Sequence, residues 1–205
     1  MTRVRWIICG VVLTAAFLAL GLLVARQPLA LDTDVALALQ GEDTQPAGRV
    51  AGVLTNFLGP VLPYVLGAAL LIFVLFRRQH LVLCLKLAVV LVLCRLTSLV
   101  FKPVFERQRP RAYPELSYPS GHVVAVASTG LVAVLLLVWL APRLVKRVVA
   151  IAVVATLLAA ACRIVLGVHW VSDTVGSVLA VGGVGLLSAA GLGLLPARGE
   201  RSLDR

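Results

Sequence analysis

Six long apolar blocks, separated by short polar clusters, dominate this chain: approximately 6–25, 52–76, 81–101, 121–141, 147–168 and 174–195. A helix needs about 20 apolar residues to cross the hydrocarbon core of a bilayer, and each block is close to that length. The pattern predicts an all-α, polytopic membrane protein with about six transmembrane helices, built as one domain over residues 1–205 without internal repeats. The blocks are not equivalent. The second carries Pro60 and Pro63, which predicts a kink or a late helix start, because proline lacks the N–H that the helix ladder requires. Lys86 and Arg95 make the third the least apolar. The sixth holds Gly176, Gly182, Gly183 and Gly185, small residues that let helices approach closely. Between the first two blocks, the stretch from Asp32 to Leu39 is expected as an ordinary loop rather than a short interfacial helix.

Composition supports lipid as part of the solvent. The chain is 60% hydrophobic and 14% charged over 205 residues, more apolar surface than a soluble domain of this size can hide. A net charge of +10 in a soluble protein would suggest nucleic acid. Here the cations cluster in connections between apolar blocks, which points to membrane topology and anionic lipid and argues against a nucleic-acid partner. Their distribution also sets an orientation. Arg3, Arg5, Arg77, Arg78, Arg143, Lys146, Arg147, Arg198, Arg201 and Arg205 share one side, ten against the six of Arg26, Arg49, Lys102, Arg107, Arg109 and Arg111. That excess predicts a multi-pass protein of the cell (inner or plasma) membrane with both termini in the cytoplasm. The first block, with Arg3 and Arg5 before it and Ala36-Leu37-Ala38 after it, has some features of a cleaved signal. Its apolar stretch exceeds the usual length of about 7–15 residues, so it is expected as a retained anchor. Cys9, Cys84, Cys94 and Cys162 all lie inside apolar blocks without metal or redox spacing, and read as small packing residues.

The chemistry sits in three polar clusters. Lys102 to Pro110 follows the third block, Pro119-Ser120-Gly121-His122 opens the fourth, and Arg163, His169 and Asp173 span the junction of the fifth and sixth. Alternating helix direction brings all of these block ends to one membrane face, whichever face that is. The positive-inside bias makes it extracytoplasmic. Lys102, Arg109 and Arg163 supply cations for the oxygens of a phosphoryl group, the arginines as planar forks and the lysine as a compact charge. Arg163 lies within an apolar run, where an ionisable side chain is costly and marks function. Ser120 and Gly121 start a helix whose free amides and dipole favour an anion, with glycine allowing close approach of the backbone. His169 and Asp173, four apart, share a helix face, so the carboxylate can fix the imidazole tautomer. Arg95 lies 7 residues before Lys102 on the same helix face and is a candidate for extending the pocket toward a second phosphate.

The joint pattern KxxxxxxRP, PSGH and RxxxxxHxxxD resembles the type 2 phosphatidic acid phosphatase and vanadium haloperoxidase superfamily, in its membrane lipid phosphatase branch. Each motif alone is a weak signal; their order and membrane-edge placement make the combination specific. The resemblance covers roughly residues 95–180, and the remainder agrees only in hydropathy. It implies that His169 is the nucleophile through a phosphohistidine, held by Asp173, and that His122 protonates the leaving oxygen and then activates water. Lys102, Arg109, Ser120, Gly121 and Arg163 would bind the phosphate. No metal or other cofactor is expected, since the two histidines and one aspartate sit among cations that repel a divalent ion.

These readings predict a lipid phosphatase acting on a phosphate monoester or diphosphate, with a polyprenyl diphosphate favoured. Phosphatidylglycerophosphate and phosphatidic acid are the alternative substrates. A lipid phosphotransferase using the same site is a further alternative, distinguished by a phosphorylated acceptor in place of free phosphate. A serine hydrolase built on Ser120 lacks a GxSxG elbow and does not explain three cations. An anionic-lipid transporter would not require the His169–Asp173 pair beside His122, and a haloperoxidase would not need six spans. The expected partners are the lipid phosphate and the bilayer. Oligomeric state is open at this stage.

Overall fold

The computed structural model describes residues 2–195. The tail arginines Arg198, Arg201 and Arg205, part of the orientation count, lie outside the described residues. Eight α-helices follow in order: α1 Arg3–Val24, α2 Ala30–Ala38, α3 Pro46–Phe57, α4 Val61–Phe76, α5 Leu81–Phe105, α6 Gly121–Leu140, α7 Val145–Val165 and α8 Val171–Gly191. Single turns of 3-10 helix at Glu42–Thr44, Arg78–His80 and Pro142–Leu144 serve three of the connections. Among the described residues, six stretches are long and apolar enough to cross a membrane, with α3 and α4 together forming the second. The chain is thus an all-α, multi-pass membrane protein.

The second span takes the late start that Pro60 and Pro63 predict, as two helices rather than one kinked one. Leu58 leaves helical geometry with ψ 74, and Pro60 caps a new helix that carries Pro63 in its first turn. Proline fits there because the first N–H groups of a helix have no intrahelical partner. The 3-residue break at 58–60 matters later, because it lies against His122. The departure from expectation is α2, where a loop is predicted from the sequence. Nine residues are too few for a stable isolated helix in water. Here the Asp32 carboxylate accepts the Leu29 N–H at 3.2 Å, and its remaining bonds run to distant residues.

Core packing is set by α5, α6 and α8, with α1 lying along α8 and α7 along α6. Leu87, Val90, Cys94, Val124, Val132 and Val181 form the centre, while large apolar side chains such as Phe76, Leu99 and Leu157 project outward toward lipid. Close approach uses the glycines of α8. A Cβ on Gly183 would stand 2.7 Å from the Thr14 backbone nitrogen of α1, and one on Gly185 would stand 2.1 Å from Leu131 of α6. Gly176 differs: its space admits the Tyr118 ring, 2.3 Å from the hypothetical Cβ, rather than another helix. Tyr118 is fully buried, stacks on Phe17 with centroids 5.4 Å apart and donates its hydroxyl to the Phe17 carbonyl at 2.7 Å. This anchor fixes the 106–120 loop between α5 and α6, which carries Arg109 and Ser120 of the site.

Candidate active site

The clusters that the sequence placed at block ends do converge. Lys102 lies in the last turn of α5, Ser120 caps α6, Arg163 lies in the last turn of α7, and His169 precedes α8. Hydrogen bonds join the elements. Ser120 N–H reaches the Asp173 carbonyl at 3.5 Å, and the Ser177 hydroxyl lies within bonding distance of both the Asp173 and Ser120 carbonyls. The start of α6 is therefore pinned to the first turn of α8. Arg109 closes the other side, donating to the Val168 carbonyl at 3.0 Å, one residue from His169.

His169 and Asp173 form the pair expected from their spacing, with Nδ1 to Oδ2 at 3.2 Å and both side chains buried. A carboxylate only accepts, so Nδ1 carries the proton and Nε2 presents its lone pair. Asp173 Oδ2 also accepts the Trp170 N–H at 2.9 Å, which caps α8 and fixes the carboxylate in the same step. Burial pushes the His169 imidazole down to about 4, with Arg109 and Arg163 adding to that depression and Asp173 opposing it. The ring is neutral near pH 7, the form a nucleophile requires.

The cations differ in their commitments. Arg163 is 6% exposed, and its Nε is buried without a partner. Ser120 Oγ is also buried and unpaired. Two orphaned donors beside a helix N-terminus are costly unless something anionic completes them. Arg109 stacks on Tyr113 at 4.2 Å from the ring centroid and donates to the Glu115 and Leu116 carbonyls. Lys102 Nζ is 2.9 Å from Glu115 Oε2, and Arg109 Nη2 is 3.4 Å from the same oxygen. The Glu115 carboxylate, 65% exposed, thus occupies two cations expected to meet phosphate. The hydrogen bond from Lys102 holds its carboxyl below the usual carboxylate range.

His122 stands in the first turn of α6, and Arg163, His169, Arg109 and Arg95 all lie close enough to act electrostatically on its ring. Its other wall is the break between α3 and α4. A Cβ on Gly59 would meet His122 Cδ2 at 2.5 Å and Nε2 at 3.1 Å. Arg95, proposed from spacing as an extension of the pocket, donates through Nη1 to the Gly121 carbonyl at 2.8 Å. It ties α5 to the start of α6 and also borders an apolar groove of about 660 Å³ between α4 and α5.

Sequence reasoning missed Arg107, Asp32, Ser172 and Glu115. Arg107 was counted only as a loop cation, yet it is 2% exposed and bonds Asp173 Oδ1 at 2.5 Å and Asp32 Oδ2 at 2.7 Å. Its position two residues before Arg109 was the available signal. Asp32 had none, because its partner Ser172 lies 140 residues away.

The family model of the PAP2 superfamily matches residues 83–192. Among solved structures, the transmembrane PAP2 type phosphatidylglycerolphosphate phosphatase from Bacillus subtilis is similar, with a TM-score of 0.69 and 26% identity over 89% of this chain and 94% of that one. No curated protein matches the chain in sequence.

Proposed function

This chain belongs to the PAP2 superfamily, and from that membership we propose a two-step hydrolysis of a membrane lipid phosphate through His169. The enzyme is an integral-membrane phosphoric ester hydrolase. His169 Nε2 attacks phosphorus, and the ester oxygen leaves with a proton from His122. His122 then takes a proton from water, whose oxygen attacks the phosphohistidine; the P–N bond breaks, phosphate is released and His169 is restored. Lys102, Arg109 and Arg163 meet the charge on the equatorial oxygens, with the Ser120 hydroxyl and the Gly121 amide completing the cradle. The observation that carries this reading is the buried, Asp173-held imidazole of His169 beside unpaired Arg163 Nε and Ser120 Oγ.

The substrate favoured here is a glycerolipid phosphate monoester, phosphatidylglycerol phosphate being the leading candidate. The similar Bacillus protein is a phosphatidylglycerolphosphate phosphatase. A polyprenyl diphosphate was favoured from the sequence on the compact six-span build, the extracytoplasmic site and Arg95; the Nη1 of that guanidinium is engaged by the Gly121 carbonyl. The α4–α5 groove, lined by Tyr64, Gly67, Leu71, Val92 and Leu99, suits an acyl chain held in the bilayer while its headgroup reaches the site. The site is assigned to the extracytoplasmic face, with both termini cytoplasmic. Support comes from the cation excess on the opposite face. Four of the six site-face cations, Lys102, Arg107, Arg109 and Arg111, pair with carboxylates and so serve the site rather than the topology.

Rapid quenching with lipid labelled at phosphorus tests the mechanism. Wild type is expected to yield an acid-labile, base-stable phosphoenzyme, and His169→Ala to yield none and to lose turnover. A well-folded His169→Ala protein with near-normal activity would refute it. Turnover is expected to survive EDTA and to be inhibited by orthovanadate.

A further inference from the structure

Two aspartates sit at the third position of a helix and fold back onto the preceding backbone N–H: Asp32 in α2 and Asp173 in α8. Arg107 bridges them. Its Nη1 donates to Asp173 Oδ1 at 2.5 Å and to Ser172 Oγ at 2.7 Å, and its Nη2 donates to Asp32 Oδ2 at 2.7 Å. The Ser172 backbone N–H and hydroxyl both donate to Asp32, at 2.9 and 2.5 Å. The Arg107 guanidinium also lies over the Trp170 ring, 5.6 Å from its centroid. All members of this cluster are nearly inaccessible: Asp32 and Arg107 are each 2% exposed, Ser172 4% and Asp173 0%.

Asp173 has one cationic partner, Arg107, and one neutral partner, the His169 imidazole. It divides its two oxygens between them. Oδ2 faces His169 Nδ1 and the Trp170 amide, while Oδ1 faces Arg107 and, at 3.4 Å, the Ser117 hydroxyl. The Arg107 charge therefore draws on the same carboxylate that orients the imidazole. Asp32 in turn draws on Arg107. We propose that Arg107 and Asp32 are positioning residues for the reaction at His169: through Asp173 they fix the orientation of the imidazole and set, in opposite directions, how much negative charge it feels. Neither residue touches phosphate. The short helix α2 is thus a remote part of the nucleophile's support rather than a connection.

This inference rests on His169 being the nucleophile, and it makes a prediction that a purely structural network does not. The charged or titratable groups facing His169 are Asp173 from α8, Arg163 from α7, Arg109 from the 106–120 loop and His122 from α6; Arg107 and Asp32 act through Asp173. Removing the Arg107 charge exposes His169 to an uncompensated carboxylate and favours its protonation. Removing the Asp32 charge leaves Arg107 free to neutralise Asp173 more fully and disfavours protonation. The acid limb of the pH–rate profile should therefore move up in Arg107→Gln and down in Asp32→Asn. The double variant, which removes both charges, should return toward wild type. Carboxylates one step behind a metal-bound histidine are worth about 10- to 100-fold, and a loss of that order in kcat is expected for each single variant with KM within about twofold.

Full-length enzyme in mixed micelles of a defined lipid phosphate suffices for the test, because substrate ionisation is common to every variant. Phosphoenzyme formation in the same preparations separates the two levels of argument. If His169→Ala retains turnover, the nucleophile assignment fails. If His169→Ala is dead but the two single variants show no limb shift, or shifts of one sign, the positioning inference alone is overturned. Should Arg107→Gln fail to fold, Asp32→Asn and Arg107→Lys decide the matter. The first must still move the limb down. The second, which keeps the charge and loses the fork, must lower kcat while leaving the limb in place.

Discussion

Glu115→Gln offers a direct reading of how the phosphate site is occupied before substrate arrives. The Glu115 carboxylate lies 2.9 Å from Lys102 Nζ and 3.4 Å from Arg109 Nη2, so in the proposed binding mode an incoming phosphoryl oxygen displaces it from both. The pair is only partly shielded: the Lys102 side chain is 18% exposed and that of Glu115 65%. Exposed ion pairs are worth about 0.2–1 kcal/mol, and the upper end of that range corresponds to roughly fivefold in an equilibrium constant. Removing the charge while keeping the side chain's shape should therefore tighten orthovanadate inhibition by up to about fivefold at low salt. Because Lys102 holds the carboxyl below its usual range, the carboxylate is charged across pH 5–9 and the effect should be constant there. Raising ionic strength should shrink it, since solvent-exposed charges are screened. Inhibition constants for vanadate and inorganic phosphate, measured for wild type, Glu115→Gln and Glu115→Ala, check the reasoning. Unchanged constants would mean that the carboxylate does not compete. Weaker inhibition would mean that Glu115 organises Lys102 and Arg109 for substrate instead, and would refute the argument.

Two further outcomes follow from the geometry. In Gly59→Ala the new methyl would lie 2.5 Å from His122 Cδ2 and 2.8 Å from the Thr55 carbonyl, so both the ring and the α3–α4 break must shift. Overpacking of this kind costs about 1–3 kcal/mol, and kcat should fall more for an alkyl ester than for an aryl phosphate, whose leaving group needs little help from a general acid; an equal loss on both substrates would detach Gly59 from the His122 step. For topology, a cysteine placed at Glu115 in a background without Cys9, Cys84, Cys94 and Cys162 should react with an impermeant thiol reagent in intact cells, and one at Arg143 should not; the reverse pattern would put the site in the cytoplasm.

The spans were readable because a bilayer imposes one strict demand: an apolar run long enough to bond its own backbone across about 30 Å. Parity did the rest, since polar clusters at alternate helix ends must meet on one face. What parity does not tell is which cation goes where. Arg107, Arg109 and Arg111 alternate in sequence and look equivalent, yet the first turns inward to Asp32 and Asp173, the second lies on Tyr113 among backbone carbonyls, and the third pairs with Asp43. Arg95 shows the converse limit. Helical spacing set it two turns below Lys102, but could not show that its Nη1 also bonds the Gly121 carbonyl at the start of α6, a contact that spans 26 residues of sequence.

The helix starts expose a more general reason why part of the site was hidden. An acidic residue in the first turn of a helix is a local signal, and it accounts fully for the bonds from Asp32 to the Leu29 amide and from Asp173 to the Trp170 amide. A carboxylate that caps a helix still has lone pairs to spare. Asp173 spends them on His169 and Arg107, and Asp32 on Arg107 and Ser172, so the atoms that start α2 and α8 are also those that hold the imidazole. Local and functional roles are therefore inseparable in any variant that deletes the side chain: Asp32→Ala would remove the cap, worth about 1 kcal/mol, together with the partner of a buried arginine, worth about 3–5 kcal/mol. Asparagine at either position keeps one oxygen for the cap, removes the charge, and turns the other oxygen into an NH2 donor, which meets the Ser172 N–H at position 32 and Arg107 at position 173. It is the substitution that asks about chemistry while leaving the start of the helix in place.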